Sequence, residues 1–194
     1  MNTNIGQSSG NEDVDEIVQI LKSAINEFYK NDHDIISNKE GAVRYGIERA
    51  MCFRIGLYFS NLLRDNERYR EYHIDMEYNK NKMKPKYLYS DKKEWSQPDL
   101  IVHKRWSNDM NLLIVEFKDN IKASKNTVDK TGRDCNKLKA FTCSKGDYRY
   151  KIGLSVKLGE TEEQTEYRYF KNGGEVENYS CSTVSLACSS MPSS

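Results

Sequence analysis

Two apolar segments joined by a short loop constrain the fold of this chain more than any other feature of its sequence. Residues 97–104 and 111–118 are each long enough for one strand, and the second contains the uninterrupted run Leu-Leu-Ile-Val at 112–115. Because this run is apolar at consecutive positions, both faces of its strand need cover, which is typical of a central strand. The short loop predicts that the two strands form an antiparallel hairpin.

This hairpin is expected to bring charged side chains to one face of the sheet. A register symmetric about the loop pairs residue 104 with residue 111, so that Asp99 lies opposite Glu116. Directly opposed residues have Cβ atoms about 4.5–5.5 Å apart and point to the same face. Lys118 lies two residues beyond Glu116 and therefore shares that face. A slip of one residue would separate the two carboxylates.

The chemistry of Asp99 and Glu116 indicates a metal site. Two carboxylates this close repel, and one of them takes up a proton unless a cation compensates. Carboxylate oxygens and water are the ligands that Mg²⁺ prefers, so both residues are candidate magnesium ligands, with Mn²⁺ as a substitute. Lys118 would orient or help to activate a water and stabilise negative charge on a phosphoryl group. This combination suits phosphodiester hydrolysis.

A third carboxylate, Glu48, lies on the apolar face of a helix predicted over about residues 39–64. Offsets of 4, 7, 11 and 14 residues from Glu48 lead to the apolar residues Cys52, Ile55, Phe59 and Leu62. At 100° per residue these positions share one direction, which should face the sheet. A lone charge there is costly without a partner. Either the metal held by the hairpin or an ion pair with Arg44 or Arg54 would supply one.

The remaining patterns predict an α/β domain with helices packed on a mixed sheet. Helical spacing indicates an N-terminal helix over about residues 15–30 and a third helix over 133–143. Alternation of apolar residues predicts further strands, at 72–79, 148–158 and 165–171, the last as an edge strand. Outside the domain, assigned to residues 15–180, we expect disorder in residues 1–14 and a serine-rich low-complexity tail in 181–194.

Composition narrows the class of protein. At 194 residues the chain is long enough for one domain and short for two. No apolar run reaches the roughly 18–20 residues of a membrane span, and the start of the chain lacks the features of a signal peptide. We therefore expect a cytoplasmic protein with no membrane partner. The 5 cysteines show no metal-binding spacing, which favours free thiols over a zinc site or disulfides.

The hairpin motifs resemble those of the PD-(D/E)xK nuclease superfamily, whose core is αβββαβ. Pro98-Asp99 looks like the first half of the motif and Glu116-Phe117-Lys118 like the second. Glu48 matches the helix glutamate that several branches add, and the segment 133–142 resembles the charged helix common there. The resemblance covers about residues 40–158 and is to small bacterial members, with no feature that assigns a branch.

This resemblance implies a restriction endonuclease-like fold with an extra N-terminal helix. It further implies a magnesium-dependent hydrolase that acts as an endonuclease or exonuclease. The resemblance does not carry over a substrate; DNA is favoured over RNA, and the choice stays open. Asp99, Glu116 and Glu48 would be metal ligands, and together with Lys118 they would form the catalytic set. A homodimer that makes paired cuts remains open.

Lysines flank this candidate site in sequence. Residues 80–93 hold six lysines against one aspartate, and residues 118–139 are also rich in lysine. Such segments suit a groove that follows a phosphate backbone. The candidate nucleic-acid contacts are Lys82, Lys84, Lys86 and Lys137. A solvated lysine loop without a ligand is the alternative.

Less specific interpretations stay open beside these. Asp99 and Lys118 would form a cross-strand salt bridge in a purely structural site. Glu77 is expected to be solvated rather than a ligand, and His103 to be packed in the sheet rather than a general base. For the whole protein, the alternative is a non-catalytic nucleic-acid-binding or assembly module that retains the nuclease fold.

Overall fold

The computed structural model describes residues 9–36, 47–89, 93–119 and 127–179. Its α-helices are α1 (Ser9–Asn31), α2 (Ile47–Leu63) and α3 (Thr127–Thr142). Its strands are β1 (His73–Met76), β2 (Lys80–Asn81), β3 (Lys84–Pro85), β4 (Tyr87–Tyr89), β5 (Lys93–Trp95), β6 (Leu100–His103), β7 (Asn111–Asp119), β8 (Ile152–Leu158), β9 (Glu166–Lys171) and β10 (Gly174–Val176).

One mixed sheet organises the described residues. Its six strands follow the order β1-β6-β7-β8-β9-β10, and β2–β3 and β4–β5 form separate two-stranded ribbons. Neighbours in the sheet are antiparallel except for β7 and β8, which are parallel and connected through α3. None of the helices in the described part of the chain is long and apolar enough to cross a membrane.

Helices cover both faces of the sheet, as the apolar run in β7 requires. Leu113 and Val115 pack in one core with α1 and α2. Ile114 packs in a second core on the opposite face, with Leu138 and Phe141 of α3. Because side chains alternate along a strand, Glu116 and Lys118 continue the series of Ile114 on the α3 face. The prediction of a central strand is confirmed.

The helices are found where the sequence predicts them, with differences at their ends. α1 begins at Ser9, within the segment 1–14 for which the sequence predicts disorder, and Val14, 2% exposed, extends its apolar face. The third helix begins at Thr127, six residues before its predicted start. Parts of three predicted segments lie outside the described residues: 1–8 of the N-terminal segment, 39–46 of the second helix and 180–194 at the C-terminus.

The strands differ from prediction where the chain leaves the sheet. The strand predicted at 148–158 begins only at Ile152, because Tyr148 and Tyr150 pack in the α3 core instead. The strand at 165–171 is not the edge strand, since β10 pairs with it. Gly173 makes this last turn with φ +83°, a conformation that favours glycine.

Candidate active site

The hairpin of β6 and β7 has the predicted register at the end where the acidic residues lie. Leu100 pairs with Val115, and the next pairs follow the same spacing. Continued by one residue, this register sets Asp99 against Glu116, as the sequence predicts. The two candidate ligands therefore start from neighbouring positions on one face of the sheet.

At the loop end of the hairpin the predicted pairing is wrong. A β-bulge shifts the register so that His103 pairs with Asn111, in place of the symmetric pairing of residues 104 and 111. A bulge absorbs one extra residue locally, and at this end it leaves the register at Asp99 intact. His103 is buried and its Nε2 lies 2.8 Å from Oδ2 of Asp75, so it is a packed sheet histidine, as expected.

Asp99 extends the hairpin ladder through its side chain. The N–H of Phe117 donates to Oδ2 of Asp99 at 2.7 Å, and the N–H of Glu77 donates to the Asp99 carbonyl at 3.1 Å. Burial raises the pKa of Asp99 to about 6, although the bond from Phe117 opposes the shift. Asp99 is thus fixed by backbone groups on both sides.

Glu116 is the most deeply buried of the acidic residues at this end of the sheet. It is 2% exposed, and burial together with the charge of Asp99 raises its pKa to about 8. Its Oε1 lies 2.8 Å from Nζ of Lys137, and this ammonium opposes the rise in pKa. The buried carboxylate of Glu116 therefore has an ammonium of α3 as its counter-ion.

Lys118 is held between two carboxylates. Its Nζ lies 3.1 Å from Oε1 of Glu48 and 3.3 Å from Oδ2 of Asp134. Burial would lower the pKa of this ammonium, but the two carboxylates outweigh burial and hold it above its usual value. Lys118 therefore stays charged, and no ion pair joins it to Asp99 in the described residues.

Glu48 finds a partner that the sequence did not indicate. Arg54, one of the two arginines considered, instead pairs with Asp32 at 2.8 Å. The other, Arg44, lies outside the described residues. The ion pair with Lys118 links the start of α2 to the sheet and places Glu48 at the same site as the hairpin residues.

α3 contributes a residue that sequence reasoning missed as an acid of the site. Asp134 is 7% exposed, and its Oδ1 lies 3.7 Å from Nζ of Lys137, one turn further along the helix. The offsets from Asp134 to Leu138 and Phe141 are 4 and 7 residues, the same signal that singled out Glu48. Applied to this helix, that test would have found Asp134.

The site therefore holds more carboxylates than cations. Its acids are Glu48, Asp99, Glu116 and Asp134, and its ammonium groups are Lys118 and Lys137. With every group ionised, the excess is two negative charges, and Oδ2 of Asp134 is buried with no hydrogen-bond partner among the described residues. The donor set fits one hard divalent cation in type and in charge.

The present arrangement is not a preformed metal site. Among the described residues, no three His, Cys, Asp or Glu side chains are grouped closely enough to hold a metal ion. Instead Lys137 lies against Glu116, and Lys118 bridges Glu48 and Asp134. The lysines are the counter-ions of the carboxylates in this state.

A cavity of about 460 Å³ opens beside this cluster. Its lining residues come from α2, the end of β1 and the segment before β6: Glu48, Arg49, Cys52, Phe53, Met76, Glu77, Gln97 and Asp99. Gly56 lets α2 approach β1 closely, since a Cβ there would lie 2.5 Å from Sδ of Met76. Two candidate ligands, Glu48 and Asp99, therefore face a space that a substrate can enter.

The prediction that Lys86 contacts nucleic acid is wrong. Its side chain is 2% exposed, and Nζ donates to the hydroxyl of Tyr150 at 3.2 Å. Four aromatic rings surround the ammonium at 5.5–5.6 Å: those of Tyr78, Phe141, Tyr148 and Tyr150. Burial lowers the pKa of Lys86 to about 7. A phosphate backbone cannot reach this group.

Lys82 and Lys84 are exposed but lie away from the carboxylates. They line a second cavity of about 630 Å³ together with Asn108, in the loop that connects β6 to β7. Asp99 and Glu116 lie at the other end of this hairpin. Roughly 15 Å of strand therefore separates them from the loop end, where Lys82 and Lys84 lie. Of the four lysine candidates, Lys137 alone is placed at the cluster.

The cluster combines carboxylate oxygens, a buried ammonium and one open side. Those features suit hydrolysis of an anionic ester, in which charge develops on the reacting group. The residues of the cluster come from α2, the start of β6, β7 and α3, so the fold as a whole brings them together. No family model matches the chain, and searches of curated proteins and of solved structures find no match to it.

Proposed function

We propose that this protein is a metal-dependent nuclease that hydrolyses phosphodiester bonds, with DNA favoured over RNA as its substrate. The observation that carries the proposal is the register of β6 and β7, which sets Asp99 beside Glu116 with Lys118 two residues further on the same strand. A carboxylate pair followed by an ammonium can hold a metal ion and donate to a phosphoryl group, which suits a metal-assisted attack on a phosphodiester.

The order of elements supports the finer fold assignment within this proposal. α2, β1, β6, β7, α3 and β8 follow one another as αβββαβ, with α1 as an additional N-terminal helix. The proposed class is therefore the restriction endonuclease-like fold of the PD-(D/E)xK superfamily. Glu48 and the charged residues of α3 occupy the helices that flank this core.

Asp99 and Glu116, assisted by Glu48, would hold the magnesium ion. When bound, Mg²⁺ supplies a Lewis acid for the phosphoryl oxygen and lowers the pKa of a coordinated water. Asp99 is oriented for this role by the N–H of Phe117. Lys137, whose Nζ lies 2.8 Å from Oε1 of Glu116, would be the ammonium nearest to a phosphate bound at this site.

Lys118 acts as a fixed positive charge in this scheme. In the metal-free chain Glu48 and Asp134 hold the pKa of Lys118 above its usual value, so its side chain is an ammonium there. Its contribution is hydrogen-bond donation to water and to phosphoryl oxygens whose charge grows in the transition state. Asp134 is a positioning residue, since it holds Lys118 from the opposite side.

A second candidate function is a nucleic-acid-binding or assembly module without catalysis. The observation that favours it is the pairing of lysines with carboxylates: Lys137 with Glu116, and Lys118 with Glu48 and Asp134. In this state ammonium groups already serve as counter-ions of three of the four carboxylates. The two functions differ in whether added metal produces turnover.

A cleavage panel separates these functions. The wild-type chain is incubated with Mg²⁺ or Mn²⁺ and with single-stranded, duplex and branched DNA and single-stranded RNA, beside Asp99→Asn and the control Asp109→Asn. Asp109 is exposed, pairs with Arg149 and lies in the loop at the far end of the hairpin. Cleavage that is lost in EDTA and in Asp99→Asn but kept in the control supports the nuclease. Binding without cleavage on every substrate supports the module.

A further inference from the structure

The cavity beside the cluster carries an aromatic side chain that the proposed chemistry does not use. Phe53 is 61% exposed and lines the cavity from α2. Its neighbours on the buried face of this helix, Ile55 and Phe59, are fully buried. An exposed phenyl ring gains nothing from folding, whereas a ring on a cavity wall offers a flat apolar face to a ligand.

An ion pair lies at the rim of the same cavity. Nε of Arg49 lies 3.1 Å from Oε1 of Glu77, and both side chains are largely exposed. Exposed pairs of this kind contribute about 0–1 kcal/mol, so Arg49 can exchange its partner at little cost. A phosphate is a strong alternative partner, because the guanidinium binds two of its oxygens at once.

Glu77, in contrast, is fixed by its backbone. It follows β1 with φ +48°, its N–H donates to the carbonyl of Asp99, and its carbonyl accepts from Nε2 of Gln97 at 2.9 Å. In this ion pair the backbone of Glu77 is therefore fixed, whereas the side chain of Arg49 can change its conformation. Arg49 is adjacent in sequence to Glu48 and so lies next to the carboxylate cluster.

We propose that this cavity is a subsite for one unpaired nucleotide that flanks the scissile phosphodiester. The base stacks on Phe53, and Arg49 leaves Glu77 to bind the adjoining phosphate. The inference rests on the proposed nuclease function and specifies its substrate class: DNA that is single-stranded at the position next to the cut. A volume of about 460 Å³ is within the range of pockets that hold small ligands of this size.

Stacking is what makes the subsite selective. Within an intact duplex both faces of a base are covered by its neighbours, so a ring such as Phe53 gains access only to an unpaired or extruded base. On single strands, base–aromatic stacking is tolerant of sequence because every base has a π-face. The subsite therefore selects for strand state and not for sequence.

The test is a binding measurement on the full chain with labelled oligothymidylate and with a blunt duplex of equal length, in Ca²⁺ in place of Mg²⁺. Phe53→Ala should weaken binding of the single strand about fivefold or more, which corresponds to the loss of one stacked base. Binding of the duplex should change less than twofold. Phe53→Trp should restore single-strand affinity, since it keeps an aromatic face.

Two controls on the same helix match these variants. Leu57 is the next exposed apolar residue, one turn further and outside the cavity lining, so Leu57→Ala should leave both affinities unchanged. For the arginine, Arg49→Ala should weaken single-strand binding several-fold, whereas Arg64→Ala, beyond the end of α2, should not.

The inference is overturned if Phe53→Ala and Leu57→Ala behave alike, if the duplex loses as much affinity as the single strand, or if the wild type does not bind the single strand. Its failure is distinguishable from failure of the proposed function. A wild type that cleaves DNA while Phe53→Ala cleaves and binds equally well refutes the subsite alone. A wild type that binds through Phe53 but never cleaves refutes the nuclease and retains the subsite.

Discussion

Burial has opposite outcomes for the pKa of lysines at the two ends of the central hairpin. At one end Lys118 and Lys137 lie among carboxylates, and the pKa of Lys118 is raised despite its burial. Towards the other end Lys86 lies among aromatic rings with one tyrosine hydroxyl as acceptor, and its pKa falls to about 7. Burial is common to both regions, so the neighbouring groups decide whether the ammonium keeps its charge.

The two ends of the hairpin therefore differ in composition: one is rich in buried charged groups, and the other is rich in packed aromatic rings. The carboxylate end carries buried carboxylates whose mutual repulsion is relieved by a cation or a proton, which is costly for folding and useful for binding a metal. The aromatic end buries large rings in T-shaped contacts, such as Phe141 against Tyr148 at 4.7 Å. Catalysis is expected from the first region and the fold's robustness from the second.

The largest effect is expected when the charged ammonium at the carboxylate end is removed. Lys118→Ala should lower the rate of cleavage by about 10²–10³-fold or more, because a preorganised donor to the transition state is lost. Metal affinity should change little. Single-turnover cleavage rates measure the effect, and Lys157→Ala is the control, since Lys157 pairs in register with Lys118 on β8 but binds Glu166. A Lys118→Ala rate within about twofold of wild type would reduce Lys118 to a structural ion-pair partner.

The second test concerns the aromatic end and the pH dependence of stability. Lys86 has a pKa of about 7 in the folded chain and about 10.4 when unfolded. Between these values the unfolded state binds the extra proton, so the free energy of unfolding should rise with pH, by up to about 1.4 kcal/mol per unit from this group. Below pH 7 both states are protonated and the cost of burying the charge is fully present.

Lys86→Met should remove this dependence. Urea unfolding at pH 7.5 and 9.5 should give a smaller rise for the variant than for the wild type, and the variant should be the more stable protein at pH 6.5. The nearby titrating groups, Asp75 and the surrounding tyrosines, remain in both proteins, so the difference isolates the lysine. Equal slopes for the two proteins would show that Lys86 keeps its proton in the fold.

Glu48 gives a smaller and more selective effect. Glu48→Gln should raise the Mg²⁺ concentration that cleavage requires by about tenfold, because glutamine keeps the shape and removes the charge. Metal-free stability should change by less than about 1 kcal/mol, since Glu48 is partly exposed and its ion pair is of the weak kind. Glu71→Gln, an exposed partner of Lys104, is the control. Loss of apo stability with an unchanged magnesium requirement would make Glu48 purely structural.

The smallest effect is expected from the lysines at the far end. Lys82→Ala with Lys84→Ala should leave cleavage and the salt dependence of DNA binding nearly unchanged, because both lie at the opposite end of the hairpin from the carboxylates. Lys137→Ala should lower the log–log salt slope by about 0.9 on duplex DNA, the value for one phosphate contact. A drop of about 0.9 for each of Lys82 and Lys84 would instead place the DNA across both ends.

The sequence predicts the parts of this site that depend on periodicity. The register of the hairpin at Leu100 and the placement of Glu48 follow from strand alternation and helical spacing, and both are local properties of the chain. The same spacing points to Asp134 on α3. The bulge at His103 depends on how the seven-residue connection between β6 and β7 closes, which alternation of side chains does not encode.

The partners of the lysines could not be predicted in this way. Lys86 lies in a stretch that reads as a solvated loop, but the rings that enclose it include Tyr148 and Tyr150, more than sixty residues away. Lys82 and Lys84 flank the site in sequence and not in space, because the chain turns back after Glu77 and runs to the hairpin loop. Such long-range placements depend on the packing of the whole domain.

The central claim is that the excess of carboxylates at Asp99 and Glu116 is a metal site. Calorimetric titration of Mn²⁺ into the wild-type chain and into Asp99→Asn, each at pH 7.5, tests it most directly. We expect one saturable site in the wild type and at least tenfold weaker binding in the variant. No binding to the wild type, or equal binding to both proteins, would contradict the claim and leave the lysines as the only cations of the cluster.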